Sequence, residues 1–199
     1  YFPKPFGQVR YVTDIQRSDL FTSKRINKLM SRDGMLYVAT DFGMVILDIA
    51  RSEVRNSVTK VGENSSGTAI VDMDIINDEI WVCTDGGLYK TALDQPNITL
   101  PSVWERVDGK NRLRAGKARF IAHIGRDIYT MIDDSTFQNL IWTGGWIPGP
   151  MPSEEDYAFY TVTDSNLYAG YGNFIRVDSV DGPQYLIYTG LTSVTAHID

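Results

Sequence analysis

The sequence predicts an all-β chain folded as a β-propeller of four-stranded antiparallel blades, and three observations carry that expectation. A six-residue pattern recurs as Leu36-Tyr37-Val38-Ala39-Thr40-Asp41, Ile80-Trp81-Val82-Cys83-Thr84-Asp85, Ile128-Tyr129-Thr130-Met131-Ile132-Asp133 and Leu167-Tyr168-Ala169-Gly170-Tyr171-Gly172, with starts 44, 48 and 39 residues apart. A period near 44 built from short apolar segments is the length of one propeller blade. Aromatic residues make up 12% of the chain, with 11 Tyr and 8 Phe, a composition that suits pleated surfaces. Turns rich in Gly and Asp interrupt these segments too often for the amphipathic helices of a helical-repeat array.

Each repeat reads in the same order. An apolar segment (26–30, 70–76, 118–124, 157–163) leads into a tight polar turn: Arg32-Asp33-Gly34, Asn77-Asp78-Glu79, Gly125-Arg126-Asp127 or Asp164-Ser165-Asn166. The hexapeptide completes a hairpin. A second turn, Asp41-Phe42-Gly43, Asp85-Gly86-Gly87, Asp133-Asp134-Ser135 or Gly170-Tyr171-Gly172-Asn173, reaches a third segment (44–49, 88–93, 137–143, 174–177). A more polar fourth segment follows at 57–61, 104–107 and 185–188, suited to an exposed outer strand, and is least clear in the third repeat. The repeats are therefore placed at 25–69, 70–117, 118–156 and 157–192, with partial blades at 1–24 and 193–199. Residues 8–14 read as outer strand and 193–198 as an inner strand, Thr195-Ala196-His197-Ile198 matching Ile121-Ala122-His123-Ile124. That gives about four to five blades, expected to be a partial ring or a fragment of a larger propeller. A chain opening on Tyr1 is expected to come from something longer.

With 43% hydrophobic residues the chain can bury a sizeable core, while a net charge of −6 disfavours nucleic acid as a partner. The stretch 110–119 holds five basic residues, read first as a solvated loop between blades. Lys110, Arg112 and Arg114 are nevertheless the weak candidates for an anion contact. No apolar run approaches the ~20 residues that span a bilayer, so direct membrane insertion is not expected. The single cysteine, Cys83, occupies the slot of Ala39, Met131 and Gly170 and reads as a buried strand residue.

Candidate chemistry is sparse. His123 and His197 share an Ala-His-Ile context; a pair could bind metal or act in acid–base catalysis, but recurrence at an equivalent position points to packing. Asp72, Asp74 and Asn77 lack the Gly and closing Glu of a calcium loop and read as a strand plus its turn. Asp133-Asp134 and Glu154-Glu155-Asp156 offer paired carboxylates of the type used in glycoside hydrolysis, though loop carboxylates are ordinarily solvated. Neither a nucleophile elbow nor a phosphate-cradling loop is present. No catalytic, metal or cofactor residue is assigned, and an enzyme is not expected. The segment 144–152, Gly144-Gly145-Trp146-Ile147-Pro148-Gly149-Pro150-Met151-Pro152, reads as an irregular outer connection; Trp146 is a weak candidate for recognition.

Residues Asp78-Glu79-Ile80-Trp81-Val82-Cys83-Thr84-Asp85-Gly86-Gly87-Leu88-Tyr89-Lys90 resemble the two-component-regulator propeller repeat, with Cys83 standing where that repeat usually has Gly. Ser23-Lys24-Arg25-Ile26-Asn27, the run from Leu36 to Asp48 and Glu53-Val54-Arg55 resemble the N-terminal propeller of the PorZ family of Bacteroidetes type IX secretion proteins, best over 8–95. That resemblance implies a non-enzymatic protein exported to the periplasm, outer membrane or cell surface. Its implied partners are other envelope proteins and anionic lipopolysaccharide or glycan. The alternative is the periplasmic ligand-sensing propeller of a hybrid two-component regulator, and a carbohydrate-active propeller enzyme comes third.

Overall fold

The computed structural model describes residues 23–62, 69–132, 136–141, 145–148, 159–163, 166–171, 174–179 and 182–187. Apart from one 3-10 turn, Pro101–Val103, their regular structure is all strand, arranged as four antiparallel sheets of four strands. The first blade holds β1 (Ile26–Arg32), β2 (Met35–Thr40), β3 (Gly43–Asp48) and β4 (Glu53–Val58). The second holds β5 (Ile70–Ile76), β6 (Glu79–Thr84), β7 (Gly87–Ala92) and β8 (Glu105–Arg106). The third holds β9 (Ala118–Ile124), β10 (Asp127–Ile132), β11 (Thr136–Ile141) and β12 (Gly145–Pro148). The fourth holds β13 (Phe159–Val162), β14 (Asn166–Tyr171), β15 (Phe174–Ser179) and β16 (Gly182–Ile187). Each sheet pairs its strands in sequence order, the up-and-down meander of a propeller blade.

Two-residue alternation explains how the blades stack. On β2, Tyr37 and Ala39 join Ile70, Met73, Ile80 and Val82 in the core between the first two blades, while Leu36 and Val38 pack with Phe42 and Val45 on the opposite face. On β6, Ile80 and Val82 face the first blade, whereas Trp81 and Cys83 face the third, against Ile121, Ile128 and Trp146. Both faces of these middle strands are buried, so the hexapeptides are apolar almost without interruption. Burying a side chain such as Ile80, with 0% exposure, stabilises the fold by about 1.5–3 kcal/mol.

The turns follow the residues that need them. Asp33 (φ 50°) with Gly34 (φ 77°), and Asn77 (φ 49°) with Asp78 (φ 61°), provide the paired left-handed conformations of tight hairpins. At the next turn the Thr40 and Thr84 hydroxyls each donate to the carbonyl of the glycine three residues on, Gly43 and Gly87, at 2.9 Å. The same hydroxyls accept from Phe42 N and Gly86 N. Gly43 and Gly87 sit at φ 129° and 138°, a region closed to side chains.

Besides β16, which starts at Gly182 rather than 185, two segments differ from the sequence expectation. The fourth strand of the first blade starts at Glu53 rather than 57, because Asp48 closes a short turn by accepting from Ser52 N and, through Oδ1, from Arg51 N. The 144–152 segment is not wholly irregular, since β12 pairs with β11 through Leu140 opposite Trp146 and Ile141 opposite Gly145. As the outermost strand of its sheet, β12 accommodates Pro148 without losing a ladder donor the sheet requires. Residues 8–14, 133–135, 154–156 and 193–198 lie outside the described residues.

Candidate interaction site

The inner strands β1, β5 and β9 carry a polar ladder between blades. In each, the strand pairing skips one residue at the equivalent place, Asn27, Val71 and Arg119, leaving a β-bulge near the strand start. A bulge re-aims the side chain it carries. The amide of Asn27 donates to Asp41 Oδ1 at 3.0 Å and to Ile70 O of the second blade at 2.9 Å. Arg119 of the third blade reaches back to Asp85 of the second, Nη1 to Oδ1 3.7 Å.

Asp72 ties three blades together. Its Oδ1 lies 3.0 Å from Lys28 Nζ on β1, and Oδ2 accepts from Ile121 N on β9 at 3.1 Å. Burial pushes its carboxyl above the ordinary range, a shift opposed by the Lys28 cation and the Ile121 hydrogen bond. Two residues on, Asp74 Oδ2 lies 2.7 Å from His123 Nδ1. A carboxylate can only accept, so Nδ1 carries the hydrogen.

His123 therefore does more than pack: its side chain keeps 38% exposure and bridges two blades. His197 lies outside the described residues. Asp72 and Asp74 belong to a strand, as expected, yet each is engaged separately by a neighbouring blade and they do not converge on a common centre. Cys83 is fully buried, and burial, reinforced by the nearby Asp72 charge, raises its thiol well above the ordinary value.

The basic loop joins the second blade to the third and is pinned from beneath by Asp108. This buried carboxylate accepts from Leu88 N (3.0 Å), Gly116 N (3.0 Å), Arg106 Nε (2.9 Å) and Arg106 Nη2 (2.8 Å). The bidentate contact raises the Arg106 pKa further. Leu113, 2% exposed, anchors the loop in the core between those blades, and Leu113 N donates to Lys110 O. Asn111 (φ 50°) and Arg112 (φ 70°) take the left-handed conformations of the tip.

Lys110, Arg112 and Arg114 are thus displayed on one braced loop, all exposed. Lys110 Nζ lies 3.3 Å from Glu105 Oε1, while the Arg112 guanidinium has no ion-pair partner among the described residues. Trp146 comes next to them through its backbone, Trp146 N donating to Asn111 O at 3.0 Å, but its side chain is 2% exposed and packs in the core. The indole presents no surface for recognition in this arrangement.

Residues 4–105, just over half of the chain, match the family described as TSS9, PorZ, N-terminal beta-propeller domain. The chain belongs to the PorZ N-terminal β-propeller family. No curated protein matches the sequence. Among solved structures it is similar to PorZ of Porphyromonas gingivalis, described as an essential bacterial surface component of the type IX secretion system. The TM-score is 0.68 at 19% identity, over 84% of this chain and 21% of that one. It is also similar to the extracellular domain of the putative one component system BT4673 of B. thetaiotaomicron (TM-score 0.63, 17% identity, 83% of this chain and 23% of that one). The computationally designed Ika8 protein shares the fold more distantly (TM-score 0.54, 12% identity, 82% of this chain and 48% of that one). The PorZ-family chain thus spans about a fifth of the length of the natural relatives it resembles. At these identities the likeness shows a shared fold.

The propeller fold was readable from the repeat, and the family from the runs at 23–27, 36–48 and 53–55. The inter-blade partners of Lys28, Asp72 and Asp74 were not singled out; the one available signal was the row of charged residues on otherwise apolar inner strands. Asp108 was missed too, although it follows the second blade's outer strand directly.

Proposed function

We propose that this PorZ-family propeller is a rigid, non-enzymatic platform of an exported envelope protein, displayed in the periplasm or at the outer-membrane surface and serving type IX secretion. Family membership and the braced basic loop support this reading, the loop being the single observation that carries it. A loop tip whose backbone is fixed by a buried carboxylate presents Arg112 with little ordering left to do on contact. Such a surface suits acidic envelope proteins and anionic lipopolysaccharide or glycan, with Lys110 and Arg114 as flanking cations.

Surface plasmon resonance on immobilised lipopolysaccharide, comparing the chain with a Lys110→Gln/Arg112→Gln/Arg114→Gln variant, tests the contact. The expected result is salt-sensitive binding that the triple variant loses. Equal binding by both proteins would remove the loop from the function. Deleting the full-length gene in its host should stop cargo reaching the surface, and intact secretion would sink the secretion role. The resemblance of 78–90 to the two-component-regulator repeat supports a second reading, a ligand-sensing propeller. A kinase region encoded in the same gene would decide for it.

A further inference from the structure

Away from that loop, the first two blades diverge around a cleft of about 830 Å³. Its floor includes Met35, Tyr37 and Leu93, and its walls carry Arg55 from β4 and Asp94 from the segment after β7. Three features distinguish it from an ordinary surface groove.

The two wall charges are of opposite sign and both unspent. Among the described residues neither Arg55 nor Asp94 makes a side-chain hydrogen bond or ion pair, with each other or with anything else. The remaining cation, Arg32, is already shared between Asp33 (3.4 Å) and Asp78 (3.2 Å). The third feature is Tyr37, only 5% exposed, whose hydroxyl has no hydrogen-bond partner among the described residues. The ring is buried but the hydroxyl is not sealed from solvent, so it is available to donate to a ligand in the cleft. Burial, with Asp33 adding to it, raises the phenol above its ordinary value and keeps it a donor; Arg55 and Arg32 lie near enough to act against the shift.

We propose that this cleft binds a small zwitterion with an aliphatic body, an amino acid or dipeptide. Its carboxylate is held by the Arg55 guanidinium and the Tyr37 hydroxyl and its ammonium by Asp94. The apolar body lies over Met35 and Leu93, where it removes apolar surface from water. A lone anion would leave Asp94 facing it, and a lone cation would leave Arg55 unpaired, so the two walls together select for both charges at once. This site is independent of the basic loop, and either can fail without the other.

Titration calorimetry and amide NMR shifts on the whole chain test it, with leucyl-leucine as the probe beside leucine and the N-acetylated, C-amidated and doubly blocked dipeptides. The expected result is saturable binding with shifts at Tyr37 and Leu93. Blocking either end, or changing Arg55→Gln or Asp94→Asn, should weaken it by about tenfold or more. Both residues are exposed, so an unchanged melting curve verifies that the variants fold. Leucine binding as tightly as the dipeptide would name the free amino acid as the ligand and support the site. Equal affinity for the doubly blocked dipeptide, or no shift at cleft residues up to about 10 mM of either free probe, would overturn it.

Discussion

Adding one methyl group at each of three glycines separates backbone strain from steric collision. Gly34 has φ +77° and open space where a Cβ would stand. Gly34→Ala therefore meets only the left-handed backbone penalty, about 1–2 kcal/mol. Gly43 has φ +129°, and its Cβ would lie 2.0 Å from Val58 O, a backbone atom fixed by the Met44 and Val58 pairing. Relief requires β4 to move off β3. That sacrifices a ladder hydrogen bond of about 0.5–1.5 kcal/mol and loosens Met44 and Val58, both 0% exposed. Together with a φ penalty of about 1–3 kcal/mol and about 1–3 kcal/mol of strain in the displaced core, the cost of Gly43→Ala is about 3–7 kcal/mol. Gly87→Ala belongs with Gly43→Ala, since its Cβ would stand 2.5 Å from Asp108 Oδ1. That carboxylate is pinned by four donors and cannot turn aside. For a chain of this size each kcal/mol moves Tm by about 2–4 °C. Thermal unfolding followed by circular dichroism should show a drop of a few degrees for Gly34→Ala and about 10 °C or more for the other two. Gly43→Ala melting with or above Gly34→Ala would refute the reasoning.

Asp108→Ala should cost about 2–4 kcal/mol, because it leaves Leu88 N and Gly116 N without their acceptor and releases the half-exposed Arg106 guanidinium to water; urea unfolding measures it, and a loss under about 1 kcal/mol would show that the loop does not depend on this carboxylate. The Cys83 thiol, buried and held in its protonated form, should react with an aromatic disulfide reagent only as fast as the protein unfolds, and rapid labelling of native protein would contradict its placement. Asp72 titrates in the folded state above its ordinary 3.8, so the stability it lends is full below that value and is lost as pH rises through its folded pKa. Lys28→Met removes the cation that limits this loss. The variant should be destabilised more near pH 7 than near pH 3, and a pH-independent difference would dissociate Lys28 from Asp72.

What the sequence disclosed depends on how local each feature is. The hexapeptides mark β2, β6 and β10 because a strand buried on both faces must be apolar throughout. Thr40 and Gly43, like Thr84 and Gly87, close one turn three residues apart and so leave a spacing that can be read along the chain. Asp74 and His123 meet across 49 residues, and no local pattern records that partnership. The weak outer strand β12 was obscured by its prolines, and Trp146 looked like a surface aromatic until pairing with β11 carried it into the core.

Stacked repeats face a difficulty that single folds do not: blades built alike can pack in the wrong order. The inner strands answer it with pairs that do not repeat. The seam between the first two blades is labelled by Lys28 and Asp72, the next by Asp74 with His123 and by Asp72 with Ile121 N. The position of Lys28 and Asp72 is filled in the third blade by Phe120, so a misplaced blade would set a buried carboxylate against an apolar ring or another acid, at a cost of several kcal/mol. Exchanging the charges tests whether the label is the ion pair alone. In Lys28→Asp/Asp72→Lys the attraction survives, but an ammonium at 72 cannot accept from Ile121 N and would leave that buried donor unpaired. The exchange should therefore fail to restore wild-type stability, falling short by about 1–3 kcal/mol in urea unfolding. A double variant as stable as the original would mean that Asp72 serves the first seam only and that the third blade is registered by His123 without its help.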